Sequence, residues 1–417
     1  MTGPCSDKRT CRFCGGSDME VFLDLGFSPP SNFFLREDDL NRGERHYPLR
    51  AYVCSACHLV QADIFEAPEA LFSNDYAYFS SYSTQWLAHA RAYVEMAIPR
   101  FNLGTDSLVV EIASNDGYLL QNFLPHAIPV LGIEPAANCA AVARDTRKVP
   151  TIERFFNVET ARHVAEEFGR ADLIIGNNVL AHVPHIGAFA DGLAIALKER
   201  GVITMEFPHL LRQIEENQFD TIYHEHFSYL SLLAVRAIFA KSGLDLFDVE
   251  ELPTHGGSLR IFAGQSSAGR TPSESVRRVL AEETAAGLAE RRGYLGFAER
   301  ARRVKFDLLS FLLEARAAGK TVAAYGAPAK GNTLLNYCGI RDDLLAFTVD
   351  MNPHKQGRYL PGSHLRIDPP DRIFTEKPDY VLILPWNLRD EICRQMAGIG
   401  AWGGKFVVAI PQLEIIS

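Results

Sequence analysis

No stretch of this 417-residue chain stays apolar for the length of a membrane crossing, and its opening residues, MTGPCSDKRTC, hold no hydrophobic leader core. Neither a membrane span nor a secretory leader is expected, and the chain reads as cytoplasmic. Basic runs are missing too. With 42 Lys and Arg against 51 Asp and Glu, the formal net charge is −9, which argues against a nucleic-acid polyanion as the main partner. Eight cysteines are too few for a disulfide-stapled scaffold of this size. What remains is an ordinary globular composition, 47% hydrophobic and 22% charged, long enough for two or three domains.

Four of the cysteines form two knuckles, Cys11-Arg-Phe-Cys14 and Cys54-Ser-Ala-Cys57. Each turns two thiolates toward one point, and two knuckles complete a tetrahedral sulfur set suited to Zn2+. Gly15 and Gly16 follow the first pair, where a knuckle needs a positive φ. Four sulfurs leave no open coordination position. The metal is expected to stabilise a small module, and its loss to leave catalysis per folded molecule intact. His58 is not needed as a ligand. Cys5 reads as a spare, and Cys139, Cys338 and Cys393 as buried small hydrophobes.

Residues 108–120, LVVEIASNDGYLL, read as a buried strand, a small-residue turn and a helix start. S-adenosylmethionine (SAM) methyltransferases carry acidic-x-Gly-x-Gly-x-Gly at such a turn. Here Glu111 is the acid, Ala113 and Asn115 replace the first two glycines, and Gly117 remains. Glu134 ends the next strand, placed to accept from both ribose hydroxyls. Alternating strands and helices continue to about residue 263, the pattern of a doubly wound sheet. Asn177 and Asn178 end a later strand on the ligand-bearing edge, where they can meet the methionine part of SAM. One of Phe155 and Phe156 suits the adenine and the other the core.

Tyr76, Tyr78 and Tyr82 make residues 72–86 rich in phenols, suited to a domain interface or a ligand contact. His182 lies on the same rim as Asn178. The run Tyr223-His224-Glu225-His226-Phe227-Ser228 carries too many polar groups to bury cheaply, so some are expected to face a cavity. A phenol, a carboxylate and an imidazole within one turn are the parts of an acid–base site. His255, in Thr254-His255-Gly256-Gly257-Ser258-Leu259-Arg260, forms a second polar rim.

A small-polar boundary at 264–274 and a charged helical stretch lead to a second α/β unit. Its strand VAAYG enters a turn holding Lys330, Asn332 and Thr333 before a helix, which reads as an anion site without Walker spacing. The next strand ends at Asp350, followed by Lys355 and Tyr359.

Zinc knuckles, the degenerate SAM turn, Y-H-E-H-F-S and T-H-G-G-S-L-R, in this order, resemble the sugar C-methyltransferases from about Cys11 to the C-terminus. That resemblance implies a SAM-dependent enzyme that methylates C3 of a nucleotide-diphosphate-linked 4-keto deoxysugar, dTDP-linked ahead of GDP or CDP. It implies His226 as the base and Glu225 as a pocket residue; from its chemistry Glu225 is expected to orient His226 or raise its basicity. Tyr223, Tyr76 and His182 would line the pocket, and Lys330 would meet the diphosphate. The expected architecture is α/β: a zinc-binding module over 1–75, a Rossmann-like SAM domain over 76–265, a helical linker over 266–318 and a Rossmann-like nucleotide-sugar domain over 319–417. A monomer or weak homo-oligomer is expected. Two rivals compete. One is a nicotinamide-dependent nucleotide-sugar oxidoreductase, disfavoured because neither turn keeps Gly-x-Gly-x-x-Gly. The other is a zinc-ribbon methyltransferase of RNA or protein, for which Lys8, Arg9 and Arg12 are a thin basic surface.

Overall fold

The computed structural model describes residues 9–67 and 79–417. Tyr76, Tyr78 and Cys5 lie outside the described residues. At the N-terminus, β1 (Met19–Ser28), β2 (Tyr47–Cys54) and β3 (Val60–Ala62) pair antiparallel.

The central strands are β4 (Val109–Ile112), β5 (Val130–Ile133), β6 (Thr151–Ile152), β7 (Ala171–Asn177) and β8 (Leu197–Pro208), all parallel. Next, β9 (Ser228–Tyr229) leaves this sheet and joins β3 of the N-terminal one. Strands β10 (Leu244–Leu252) and β11 (Ser258–Gln265) return antiparallel on β8, giving the order β10-β11-β8-β7-β4-β5-β6. Apolar residues on both faces make this possible: Val109 and Leu173 serve one core, Val110 and Ile174 the other. Strand order reverses at β4, so the Glu111–Gly117 turn occupies the switch point where such sheets bind ligands.

The C-terminal sheet has the order β14-β13-β12-β15-β16-β17, from β12 (Val322–Tyr325), β13 (Thr348–Val349), β14 (Ile367–Asp368), β15 (Tyr380–Ile383), β16 (Lys405–Val408) and β17 (Glu414–Ile416). Only β17 is antiparallel. Its switch point is at β12, which brings the Lys330 turn beside the segment after β15.

The stretch expected as a linker is more than a spacer. Helix Phe297–Ala317 presents Phe297, Ala301, Val304, Leu308 and Leu312 at helical spacing. That stripe packs with Phe22, Leu23 and Leu25 of β1 and with Val322 and Ala324 of β12 in one core. Among the described residues no helix is long and apolar enough to cross a membrane.

Candidate active site

The turn after β4 keeps the shape its missing glycines would allow. Ala113, Asn115 and Gly117 have φ of +56°, +49° and +76°, so every position of the glycine signature is left-handed. Asparagine tolerates this region, but alanine pays about 1 kcal/mol for it. Ala113→Gly is therefore expected to stabilise the protein by up to about 1 kcal/mol. A raised melting temperature with SAM affinity kept would bear this out, and a lowered one would mean the alanine is unstrained.

Glu134 clasps the turn, accepting from Asn115 N at 2.9 Å and Ala136 N at 2.8 Å. Burial pushes its carboxyl up to about 7 against the pull of those two amides. Each oxygen keeps a second lone pair for a further donor such as a ribose hydroxyl. Among the described residues the two amide atoms of Asn177 have no hydrogen-bond partner, and the buried Glu111 carboxyl has the Tyr118 side chain beside it. Burial holds the Glu111 carboxyl well above its ordinary range, with Asp116 and Glu134 adding to the effect. Buried polar atoms left unsatisfied along one sheet edge are what a zwitterionic, ribose-bearing ligand would pair with. Of the two phenylalanines, Phe156 packs edge-on to Phe189 at 5.3 Å. Phe155 is half-buried with no ring partner among the described residues.

The helix expected after Gly117 does not form. Short 3-10 turns at Leu120–Asn122 and Leu124–His126 replace it. Asn122 Nδ2 donates to the Tyr118 and Leu119 carbonyls at 3.2 and 2.9 Å, which competes with helical N–H groups, and Pro125 has no N–H to give. The ligand-facing groups here are turn amides without a helix dipole behind them. From this turn residues 79–82 reach across to the C-terminal unit. Ser80 N donates to Asn115 Oδ1 at 2.8 Å, and the Tyr82 hydroxyl meets His354 Nε2 at 2.9 Å.

The imidazoles gather beyond β8. His226 Nδ1 donates to the Thr221 carbonyl at 2.9 Å; a carbonyl can only accept, so Nε2 is the proton-free nitrogen. The Tyr223 hydroxyl donates to that Nε2 at 2.7 Å. His182 follows the same pattern, its Nδ1 donating to the Glu225 carbonyl at 2.7 Å, and its ring lies 4.7 Å from that of His226. His255, with φ +55°, accepts from Asn178 Nδ2 at 3.1 Å and lies edge-on to Trp86. Burial lowers all three: His182 and His255 to about 4 and His226 well below its ordinary value, where the neighbouring His182 adds to the effect. All three are neutral at pH 7.

Glu225 does not orient His226 as expected. Both His226 nitrogens are taken by Thr221 and Tyr223, and Glu225 Oε1 instead accepts from Asn32 N of the N-terminal module at 3.1 Å. Burial raises that carboxyl. Its link to the histidines is its backbone carbonyl, on His182.

Of the C-terminal candidates, only Lys330 joins this cluster. Its Nζ donates to Asn387 Oδ1 at 2.7 Å and sits 4.3 Å over the Trp386 ring. Burial brings it down to about 8, with Asp220 opposing the shift. Its charge in turn depresses His226 and His255. Asp220, fully buried and pushed up to about 7, accepts from Trp386 Nε1 at 2.8 Å. Sequence reasoning missed Asp220, Trp386 and Asn387. The available signals were an acid six residues before His226 and a tryptophan past the end of β15, on the ligand edge. A cavity of about 740 Å³ opens beside them, lined by Thr84, Gln85, Asn387, Arg389 and Arg394 among others.

Asn332 and Thr333 do not form the expected anion cradle. They are buried under the chain, where Asn332 Nδ2 donates to Ser31 O at 3.4 Å and Thr333 Oγ1 to Ile222 O at 3.2 Å. They join three segments and present nothing to an anion. Asp350 accepts from Ala327 N in the turn after β12 and from Asn352 N in its own turn, and Lys355 Nζ donates to Ala327 O at 2.9 Å. Tyr359 bridges to Leu35 through its backbone.

The four knuckle sulfurs lie within 4.8 Å of one another, with Cys11–Cys57 at 3.6 Å and Cys14–Cys54 at 3.5 Å. Disulfides need about 2.05 Å. Zinc–sulfur bonds of about 2.3 Å give tetrahedral edges of about 3.8 Å, so the donor set fits zinc. Gly15 supplies the left-handed turn at φ +76°, and His58 does the same in the second knuckle at +59°. Cys393 is half-buried, not buried as expected; Cys139 and Cys338 are buried.

A magnesium protoporphyrin IX methyltransferase from Synechocystis PCC 6803, solved with SAM, is 15% identical over 43% of this chain and 79% of its own, at a TM-score of 0.33. A SAM-dependent methyltransferase from Anabaena variabilis ATCC 29413 is 15% identical over 49% of this chain and 97% of its own, at 0.36. Residues 11–72 match a zinc binding domain, 86–249 a methyltransferase domain and 253–411 the C-methyltransferase C-terminal domain. These matches do not support the nicotinamide alternative. C-methyltransferase NovU from Streptomyces niveus is 37% identical over 98% of this chain and 96% of its own. The chain belongs to this family of SAM-dependent C-methyltransferases with an N-terminal zinc-binding module.

Proposed function

We propose that the acceptor is C3 of a nucleotide-diphosphate-linked 4-keto deoxysugar, dTDP-linked ahead of GDP or CDP, and that His226 is the base that activates it. The observation that carries this reading is the His226 tautomer, with Nδ1–H fixed on Thr221 and a proton-free Nε2 on a buried ring. A sugar carbon accepts an electrophilic methyl only as a carbanion, and beside a ketone that carbanion is an enolate. Burial keeps the imidazole neutral at pH 7 and ready to take a proton. The C3 proton goes to Nε2, the C–H electron pair enters the C3–C4 bond, and negative charge develops on the C4 oxygen. The new imidazolium is then balanced by the enolate it made and by the Thr221 carbonyl on its other nitrogen.

Substrate must displace the Tyr223 hydroxyl from Nε2, which frees that O–H to donate to the C4 oxygen. Lys330, half-buried in the same cluster, stabilises negative charge there or on the diphosphate. The cavity beside Asn387, whose lining holds Arg389 and Arg394 together with Asp390 and Glu391, is large enough for the nucleotide. SAM, held by the Glu111–Gly117 turn, Glu134, Phe155, Asn177 and Asn178, supplies an electrophilic methyl on sulfonium. Tyr76 is retained as a pocket residue on the resemblance, and Tyr78 as a substrate contact on the phenol-rich run alone.

Incubation with SAM and a panel of nucleotide ketosugars in deuterated water tests the reading. Product heavier by one methyl, and deuterium entering C3 of unreacted substrate, are expected. Methylation at oxygen or nitrogen, or no product from any ketosugar, would sink it.

A further inference from the structure

Arg12 sits between the first two zinc-ligand cysteines, where the sequence suggested only surface charge. Its guanidinium turns inward. Nε donates to the Pro184 carbonyl at 3.2 Å, Nη1 to the Ala62 carbonyl and Nη2 to the Phe227 carbonyl. Phe227 follows His226 directly, and Pro184 lies two residues past His182. Phe227 N also donates to Ala181 O at 2.8 Å, so the two histidine loops are already joined to each other. One planar fork therefore closes on both loops and on β3, beside which β9 pairs.

The knuckle holds Arg12 in turn. Arg12 N donates to Gln61 Oε1 at 3.0 Å, and Gln61 Nε2 donates to Cys11 Sγ at 3.1 Å. The fork's origin is fixed by two flanking thiolates, whose own geometry is fixed by a metal they fit.

We propose that Arg12 is a positioning residue through which the zinc knuckle sets the placement of His182 and His226. A closed sulfur site with no open coordination position thereby governs turnover. Only the kinetic part of this inference rests on His226 being the base.

Two variants test it in the full-length zinc-loaded protein. Arg12→Met keeps the stem and removes every donor, and Arg12→Lys keeps the charge but loses the fork. Zinc content and SAM affinity, by metal analysis and calorimetry, are expected to match wild type. Amide hydrogen exchange is expected to speed up in the two peptides covering 181–184 and 225–229, and at Ala62, whose N–H donates to the Phe227 carbonyl. Wild type stripped of zinc by a chelator should lose protection in those same peptides. For Arg12→Met, kcat should fall about a hundredfold with KM for the ketosugar little changed. Added methylguanidinium should restore part of that loss. Unchanged exchange in both peptides, or wild-type kcat, overturns the proposal. So does a loss in both variants that tracks missing zinc and spreads over the whole chain. If wild type methylates no ketosugar, the substrate reading fails, and exchange alone decides the role of Arg12.

Discussion

His226→Asn is expected to lower kcat by about a thousandfold or more while SAM affinity stays within about twofold. Asparagine is a fair replacement in shape. Its amide nitrogen can donate to the Thr221 carbonyl where Nδ1 does now, so the loop keeps its anchor. What disappears is the basic Nε2, and with it the acceptor for the C3 proton. The pH dependence follows from the direction of the shift. The folded His226 binds its proton less tightly than an ordinary imidazole, so the base form is present at pH 7 and persists well below 6.5. An acid limb near neutrality in the wild-type profile would belong to Asp220 or Glu134, both pushed up to about 7 and both changing charge there. His226→Asn should keep the position of that limb and lose height at every pH. Wild-type turnover by the variant would remove the base assignment, and loss of SAM binding would show that the loop supports the cofactor site instead.

What could be read in the chain and what could not divides by distance along it. The knuckles are local: two short spacings imply two turned pairs of thiolates, and the sulfurs meet as expected. The turn after β4 is local too, and its left-handed positions persist although only one glycine remains. The helix expected after it does not form, because the apolar residues at its start are outweighed by Asn122, whose side-chain amide takes backbone carbonyls, and by Pro125, which has no N–H. Glu225 shows a different limit. Adjacency to His226 suggested a pair, but neighbours in a tight turn point apart, and the carboxyl found Asn32 instead. Asn332 and Thr333 carried the residue types of a phosphate cradle, yet burial against Ser31 and Ile222 comes only from the packing of three separate segments. The contacts that organise the site join residues far apart, 215 positions between Arg12 and Phe227 and 166 between Asp220 and Trp386. No spacing rule reaches that far.

Cys14→Ser is expected to lower zinc content sharply and to destabilise the fold by on the order of 4 kcal/mol or more. Three sulfurs and a hydroxyl bind zinc far more weakly than four thiolates, and metal binding free energy is here folding free energy. The damage should not spread evenly. Phe22, Leu23, Leu25, Leu49 and Ala51 remain packed against helix Phe297–Ala317, so the sheet should outlast its knuckles. Opening the first knuckle releases Arg12, however, and with it the hold on Pro184 and Phe227. Turnover per folded molecule should therefore fall as well, against the simple expectation for a closed structural metal. Equal metal occupancy in variant and wild type would rule the ligand set out. The pair of variants then separates two causes. If Cys14→Ser and zinc-loaded Arg12→Met lose kcat alike, the knuckle acts on the base through Arg12. If Cys14→Ser loses stability and keeps its kcat per folded molecule, the metal serves the fold alone.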